Sequence, residues 1–262
     1  MKQFDAPPAI ALPITDTLAS IPARNSRAEP DRAVYALRTV TGWVDVTARQ
    51  FHEEVRSASR GLISRGVGEG SPVAILAPTR YEWTVLDFAL WTIGAFAVPI
   101  YDSSSDEQIA WIMSDSGAVA VITDSASRAE RVRSVLDTAT PVWVMDEDIL
   151  GALRHDGRDV AENVVDARTV AVRPQDPATI VYTSGTTGRP KGCVISHESL
   201  MFVVRTLVAG TQPVVTLPGA RTVLFLPLAH VLGRGAQLYC AEGGIKVAHC
   251  PDPKTNPTKS TN

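Results

Sequence analysis

TIVYTSGTTGRPKGCVISH, residues 179–197, holds two strand-like runs with a polar loop between them. Residues 179–182 and 192–195 are mostly β-branched, aromatic or apolar. Between them lie Thr183, Ser184, Gly185, Thr186, Thr187, Gly188, Arg189, Pro190 and Lys191. The pattern predicts a loop held at both ends by a sheet. Such a loop can aim several backbone N–H groups and hydroxyls into one concavity. Gly185 and Gly188 permit the positive φ and close approach that a bound phosphate requires. Lys191 adds a compact positive charge at the far end. The arrangement suits a polyphosphate. A flexible linker has a similar composition, but linkers seldom lie between two apolar strand runs and end in Pro-Lys-Gly. The Gly-x-x-x-x-Gly-Lys-[Ser/Thr] spacing of a P-loop, opening directly into a helix, is not met.

Working outward, the chain repeats one theme. Residues 32–38 and 43–46 read as strands around a Thr41-Gly42 turn. Thr47-Ala-Arg-Gln50 has the form of a capping box, and Phe51, Val55, Ala58 and Leu62 then fall on one helical face before Gly66. Residues 72–77 read as a buried strand. Ser105-Asp-Glu-Gln108 is a second capping box, and Ile109, Ile112 and Met113 turn inward before Gly117. Residues 118–123 and 142–145 read as strands, with a helix capped at Ser127 between them. Short apolar strands alternating with capped amphipathic helices imply βαβ units. The fold class is therefore α/β, with largely parallel sheets flanked by helices. Residues 1–30 read as an extended lead-in, and residues 146–178 as a charged, less regular surface excursion.

Composition bounds the function. The 262 residues are 45% hydrophobic and 20% charged, as expected of a soluble globular protein large enough to bury a core. A net charge of −3 gives no electrostatic reason to expect a nucleic-acid partner. The three cysteines, Cys193, Cys240 and Cys250, show no zinc spacing and read as reduced thiols of a cytoplasmic protein. Residues 83–100 are long and apolar, but Asp87, Gly94 and Pro99 interrupt them. A buried helix over 81–93 followed by a buried strand over 96–101 fits better than a membrane span.

Two histidines need weighing. His197 reads as a helix-start or surface residue. His230 ends the apolar run from Thr222, where polar groups at the carboxyl ends of buried strands tend to face a ligand crevice. Taken alone it reads equally as a hydrogen-bonded core histidine.

Residues 182–192 resemble the signature loop of the AMP-forming adenylating superfamily, which includes acyl-CoA synthetases, luciferases and peptide-synthetase adenylation domains. Phe225-Leu-Pro-Leu-Ala-His230-Val-Leu-Gly-Arg234 is similar to the second motif of its long-chain fatty acid–CoA ligases. Glu242-Gly243-Gly244 and Pro251-Asp-Pro-Lys254 also resemble that subgroup. The likeness runs from about Arg32 to Lys254. It implies that Thr183, Ser184, Gly185, Thr186, Thr187, Gly188 and Lys191 hold the β- and γ-phosphates of ATP, that Thr183 contacts Mg²⁺, and that His230 lies near the acyl pocket and the α-phosphate. The implied reaction joins a fatty acid to coenzyme A by way of an acyl adenylate. Fatty acid and ATP would be its small-molecule substrates, with coenzyme A as co-substrate.

The resemblance covers only the opening portion of such enzymes. Residues 31–250 correspond to part of an N-terminal AMP-binding domain, and residues 251–262 form a polar tail. The adenine- and ribose-binding motifs and the C-terminal domain carrying the catalytic lysine are not found. The tail from Thr255 to Asn262 reads as a truncation, or as a shifted frame joined after Lys254. Two expectations follow: an acyl-CoA ligase or the phosphate-holding part of one, and a remnant that binds nucleotide or a partner without turnover. A peripheral membrane contact and self-association through apolar surface near Phe225 and residues 231–240 are expected alongside.

Overall fold

A computed structural model describes residue 10 and residues 13–183 and 189–251. In chain order the elements are α1 (Ser20–Ala28), β1 (Ala33–Thr39), β2 (Gly42–Thr47), α2 (Ala48–Ser64), β3 (Pro72–Leu76), α3 (Tyr81–Thr92) and β4 (Phe96–Pro99). Next come α4 (Asp106–Ser116), β5 (Val121–Thr123), α5 (Ala126–Val135), β6 (Val142–Val144), α6 (Ile149–Asp156), α7 (Glu162–Ala171), β7 (Pro177–Thr183) and β8 (Lys191–Ser196). The chain then runs through α8 (His197–Gly210), α9 (Gln212–Val215), β9 (Arg221–Leu224), α10 (Val231–Gly243) and β10 (Lys246–His249).

The strands form two sheets. One has six strands in the order β6-β5-β3-β4-β7-β8, and the other four in the order β2-β1-β10-β9. Both are parallel except at one edge, where β8 runs antiparallel to β7 and β2 antiparallel to β1. Alternation along β3 shows how the larger sheet is covered on both faces. Val73 and Ile75 join the main core, while Ala74 and Leu76 join a second cluster with Ile109, Ile112 and Val132 of α4 and α5.

Helix α3 explains the long apolar run. Every residue in it but Glu82 is buried, because it touches both sheets. The Trp91 Nε1–H donates to the Ala178 carbonyl of β7 (2.7 Å), and the Thr84 hydroxyl meets Nε2 of His249 on β10 (2.8 Å). A helix apolar all round is one buried all round. Among the described residues no helix is long and apolar enough to cross a membrane.

The capping boxes form as the sequence predicts. Thr47 accepts from the Gln50 N–H and Ser105 from the Gln108 N–H, while each glutamine side chain accepts from its cap's N–H. Gly117 ends α4 at φ 66°. Four expectations are corrected. The lead-in is not wholly extended, since α1 forms within it and Ile14, Leu18 and Ile21 are buried in the core. Helix α5 is capped by Ser125 rather than Ser127, through the Arg128 N–H. Residues 146–178 contain α6 and α7; α6 packs so tightly on α2 that a Cβ on Gly61 would lie 2.3 Å from the Leu153 carbonyl. Finally, β9 is exposed along most of its length, because it is the sheet's free edge.

Candidate functional site

The polar loop is the connection of the β7–β8 hairpin. Register pairs Tyr182 with Gly192 and Thr183 with Lys191, so the two candidate ligands of phosphate stand side by side at the hairpin's open end. Both are exposed. Ser184, Gly185, Thr186, Thr187 and Gly188 lie outside the described residues.

Local packing fixes the two stems. Gly192 lies under the Tyr182 ring, and a Cβ there would sit 2.8 Å from Ile180 Cγ2 and 3.1 Å from Tyr182 Cζ. The bare glycine lets the ring lie flat across the hairpin and reach α4, where the Tyr182 hydroxyl donates to Asp115 Oδ2 (2.6 Å). Burial, with this carboxylate beside it, pushes the Tyr182 hydroxyl well above the usual tyrosine range, so it stays a donor. On the other stem, the Trp111 Nε1–H donates to the Pro190 carbonyl (2.9 Å), and the Arg189 guanidinium lies 4.5 Å from the Trp111 ring centroid.

His230 is the N-cap of α10, with its Nδ1 accepting from the Leu232 N–H (3.1 Å). In the neutral ring the proton therefore sits on Nε2, which makes that nitrogen a donor. The ring is exposed and lies edge-on to Tyr101, 6.4 Å between centroids. Thr183 and His230 line one cleft of about 380 Å³ with Tyr101, Gln108, Ile112 and Tyr182. The cleft opens beyond the carboxyl ends of β4, β7 and β9, where sheet proteins of this class place ligands. Lys191 stands beside its mouth through the pairing with Thr183. Sequence reads Gln108 as half of a capping box and Ile112 as core, and gives Tyr101 no role; none of the three is expected at the site. The signal available was the polar Tyr101-Asp-Ser-Ser-Ser run just past a buried strand.

Roomier hollows lie elsewhere. One of about 470 Å³ runs beside β9 and is mostly apolar, lined by Leu217, Val223, Phe225 and Tyr239. Another of about 960 Å³, between Arg38, Tyr81, Arg154 and His249, holds charges of both signs. Neither touches the loop stems. As for magnesium, no group of three or more carboxylate, histidine or thiol ligands occurs among the described residues. A hydroxyl such as that of Thr183 suits Mg²⁺ when the remaining ligands are substrate phosphates and water.

His197 begins α8, as expected, but it is buried rather than on the surface. It is 1% exposed, and its Nδ1 accepts from the Leu18 N–H (3.3 Å). Burial pushes its pKa down to about 4, against the pull of Asp176. Arg234, the last residue of the second motif, is internal as well. Its Nη2 pairs with Asp87 Oδ1 of α3 at 3.0 Å, with side chains 1% and 0% exposed. Burial pushes Asp87 up to about 6, opposed by Arg234. The pair ties α10 to the central helix, directly behind the turn that presents His230.

The AMP-binding enzyme family model matches residues 23–261. The long-chain-fatty-acid–CoA ligases FadD15 of Mycobacterium bovis and Mycobacterium tuberculosis are each 36% identical over 261 residues, covering 97% of this chain and 43% of theirs. The chain thus spans less than half the length of these relatives. Among solved structures, the inhibitor-bound N-terminal domain of FACL13 from Mycobacterium tuberculosis superposes with a TM-score of 0.73 at 26% identity. That match covers 90% of this chain and 57% of that one. VinN superposes with a TM-score of 0.74 at 20% identity over 91% of this chain and 57% of its own, a likeness of fold alone.

Proposed function

Because the chain belongs to the AMP-binding enzyme family, we propose that its cleft serves the AMP-forming activation of a fatty acid. The carboxylate attacks the α-phosphorus of ATP, pyrophosphate leaves, and the acyl adenylate forms; the thiol of coenzyme A then displaces AMP. Thr183 and Lys191, with Ser184, Gly185, Thr186, Thr187 and Gly188, hold the β- and γ-phosphates. The Thr183 hydroxyl would be this chain's ligand to Mg²⁺, which would supply neutralisation of the phosphate charge there. His230 faces the acyl end, where its Nε2–H donates toward the reacting carboxylate or the α-phosphate. The observation that supports this reading best is the meeting of Thr183 and His230 in one cleft, with Lys191 paired to Thr183. Reactions of this kind depend mainly on positioning and on charge stabilisation.

A second reading, nucleotide binding without turnover, is favoured by one observation: the chain spans 43% of its FadD15 relatives. Both readings require Mg-ATP to bind, and calorimetry tests that. Lys191→Ala should weaken affinity about ten- to a hundredfold, the effect of losing a charge-assisted hydrogen bond, with the melting temperature unchanged. Unchanged affinity removes Lys191 from the site. Pyrophosphate release with magnesium, coenzyme A and a fatty-acid series separates the readings. We expect no release above background from these 262 residues. Sustained, acid-dependent release that vanishes in Lys191→Ala would make the chain a working ligase. A cytoplasmic location and a peripheral membrane contact belong to the same proposal. So does self-association through the exposed Val223, Phe225 and Leu232. Light scattering of the same sample over a concentration series reads the last of these, and a constant monomer mass would exclude it.

A further inference from the structure

Helix α4 has one face turned to the candidate site. Gln108, Trp111, Ile112 and Asp115 stand at i, i+3, i+4 and i+7, a single stripe on a helix. Gln108 and Ile112 line the cleft. Trp111 and Asp115 each hold one stem of the hairpin, by Trp111 Nε1 to the Pro190 carbonyl and Asp115 Oδ2 to the Tyr182 hydroxyl. The helix thus reaches the chain on both sides of the loop, just before Thr183 and just before Lys191. A loop closed only by its own hairpin is pinned by the pairing of Thr183 with Lys191. Here each stem has a second anchor, on an element outside the sheet. The anchoring face is itself well fixed. Its capping box holds the first turn, Ile109, Ile112 and Met113 are buried, and the Arg131 guanidinium of α5 bonds Asp106 (2.6 Å) and the Ser104 carbonyl (2.6 Å).

We propose that Trp111 and Asp115 are positioning residues for the phosphate-binding stems, acting through Pro190 and Tyr182 to hold the neighbouring Lys191 and Thr183 in place and so to set the affinity for a polyphosphate. The proposal rests on the phosphate-binding reading above. Holding binding groups in place before the ligand arrives reduces the ordering cost of binding, so releasing either anchor should weaken binding without removing any group that touches the nucleotide. Arg189, stacked on Trp111, is held by the same contact.

The test uses the whole chain and two readouts. Hydrogen–deuterium exchange of residues 183–191 in the free protein reads the anchor, and calorimetry with Mg-ATP reads its consequence. Trp111→Phe keeps an aromatic ring but loses the N–H, and Tyr182→Phe keeps the ring but loses the hydroxyl. Each should speed exchange across 183–191 and weaken Mg-ATP about three- to tenfold, the effect of one hydrogen bond. Exchange elsewhere should not change. Asp115→Asn, which retains an accepting oxygen, should behave as wild type, whereas Asp115→Ala should match Tyr182→Phe. Exchange across 183–191 that is unchanged in both Phe variants overturns the proposal. So does a uniform rise in exchange with a lowered melting temperature, which would mark a merely structural role. If the wild-type chain fails to bind Mg-ATP, the phosphate reading falls, while the exchange data still decide whether the anchors hold the loop.

Discussion

Among the described residues, two hairpins are built to one plan. In each, an antiparallel edge strand is folded back on a strand that also pairs in parallel with an inner neighbour, β1 with β10 and β7 with β4. Each has a register shift near its start, between Ala33 and Tyr35 and between Pro177 and Thr179. Each second strand ends in a hydroxyl residue, Thr47 or Ser196, that caps the following helix. They differ at the turn. The first closes between Thr39 and Gly42, and the second opens into the seven residues between Thr183 and Lys191. An edge hairpin is a scaffold in both cases, and the chemistry comes with the residues inserted at its tip.

Three measurements would break or sharpen that pairing. The largest effect concerns the hairpin roots. Strand β8 runs into His197, whose burial holds its pKa at about 4 against an ordinary value of 6.5. The unfolded chain therefore binds a proton that the fold refuses, so this contribution is intact above about pH 6.5 and is lost as pH falls toward 4. The loss approaches about 3 kcal/mol. His197→Gln keeps an acceptor for the Leu18 N–H and does not titrate. Melting curves should show wild type losing stability relative to this variant between pH 7 and 4. His249, also pushed down to about 4 by burial, and Asp87, pushed the other way, are common to both proteins and cancel. The root of the first hairpin, Thr47 with Gln50, has nothing to titrate. A pH-independent difference would contradict the burial of His197.

The next effect separates two glycines. Gly42 holds φ 134° with nothing near its absent Cβ, whereas Gly192 is crowded by Ile180 and Tyr182. Alanine at either should cost about 1–3 kcal/mol, by backbone strain at the first and overpacking at the second. Only Gly192→Ala should also weaken Mg-ATP, because it displaces the Tyr182 ring. Equal affinity losses in the two variants would mean that the hairpins do not divide scaffold from site. The smallest effect belongs to the caps. Thr47→Ala and Ser105→Ala should each lower stability by about 1 kcal/mol, and only the second, which caps the helix that lines the cleft, should change nucleotide affinity on titration.

What could be read from sequence was what local chemistry determines. The capping boxes at Thr47 and Ser105, the turn at Gly42 and the strands around the polar loop all follow from residues close together in the chain. The burial of α3 was legible because its apolar run is interrupted by Asp87, Gly94 and Pro99. Helices α6 and α7 were missed for a tertiary reason. Helix α6 has only eight residues, follows an N-cap, Asp148, at φ 52°, and lies against a bare glycine of α2 that no local pattern announces. Strand β9 was read as buried from its apolar residues, but burial depends on a neighbouring strand, and a sequence does not state which strand stands at an edge. At the candidate site, Thr183 and Lys191 stand out by residue type and spacing, whereas His230 stands out only through the resemblance of its motif. Tyr101 and the Trp111–Asp115 pair do not stand out in the sequence, because their contacts with His230, Pro190 and Tyr182 are of long sequence range.

The parallel pairing of Tyr35 with Val247 has a consequence for how the protein is made. The six-stranded sheet is drawn entirely from residues between Pro72 and Ser196, whereas the four-stranded sheet takes its members from either side of that interval. One sheet is therefore nested inside the other along the chain. As the polypeptide leaves the ribosome the inner sheet has all its strands first, and the β1–β2 ribbon, marginal by itself, must wait for β10. At about 5–20 residues per second that wait is roughly 10–40 s. During it, Tyr35 and Val46 present apolar surface with no sheet beside them. The interval in which these two sheets are most open to misassembly is written into their strand order, and it ends only with the synthesis of β10.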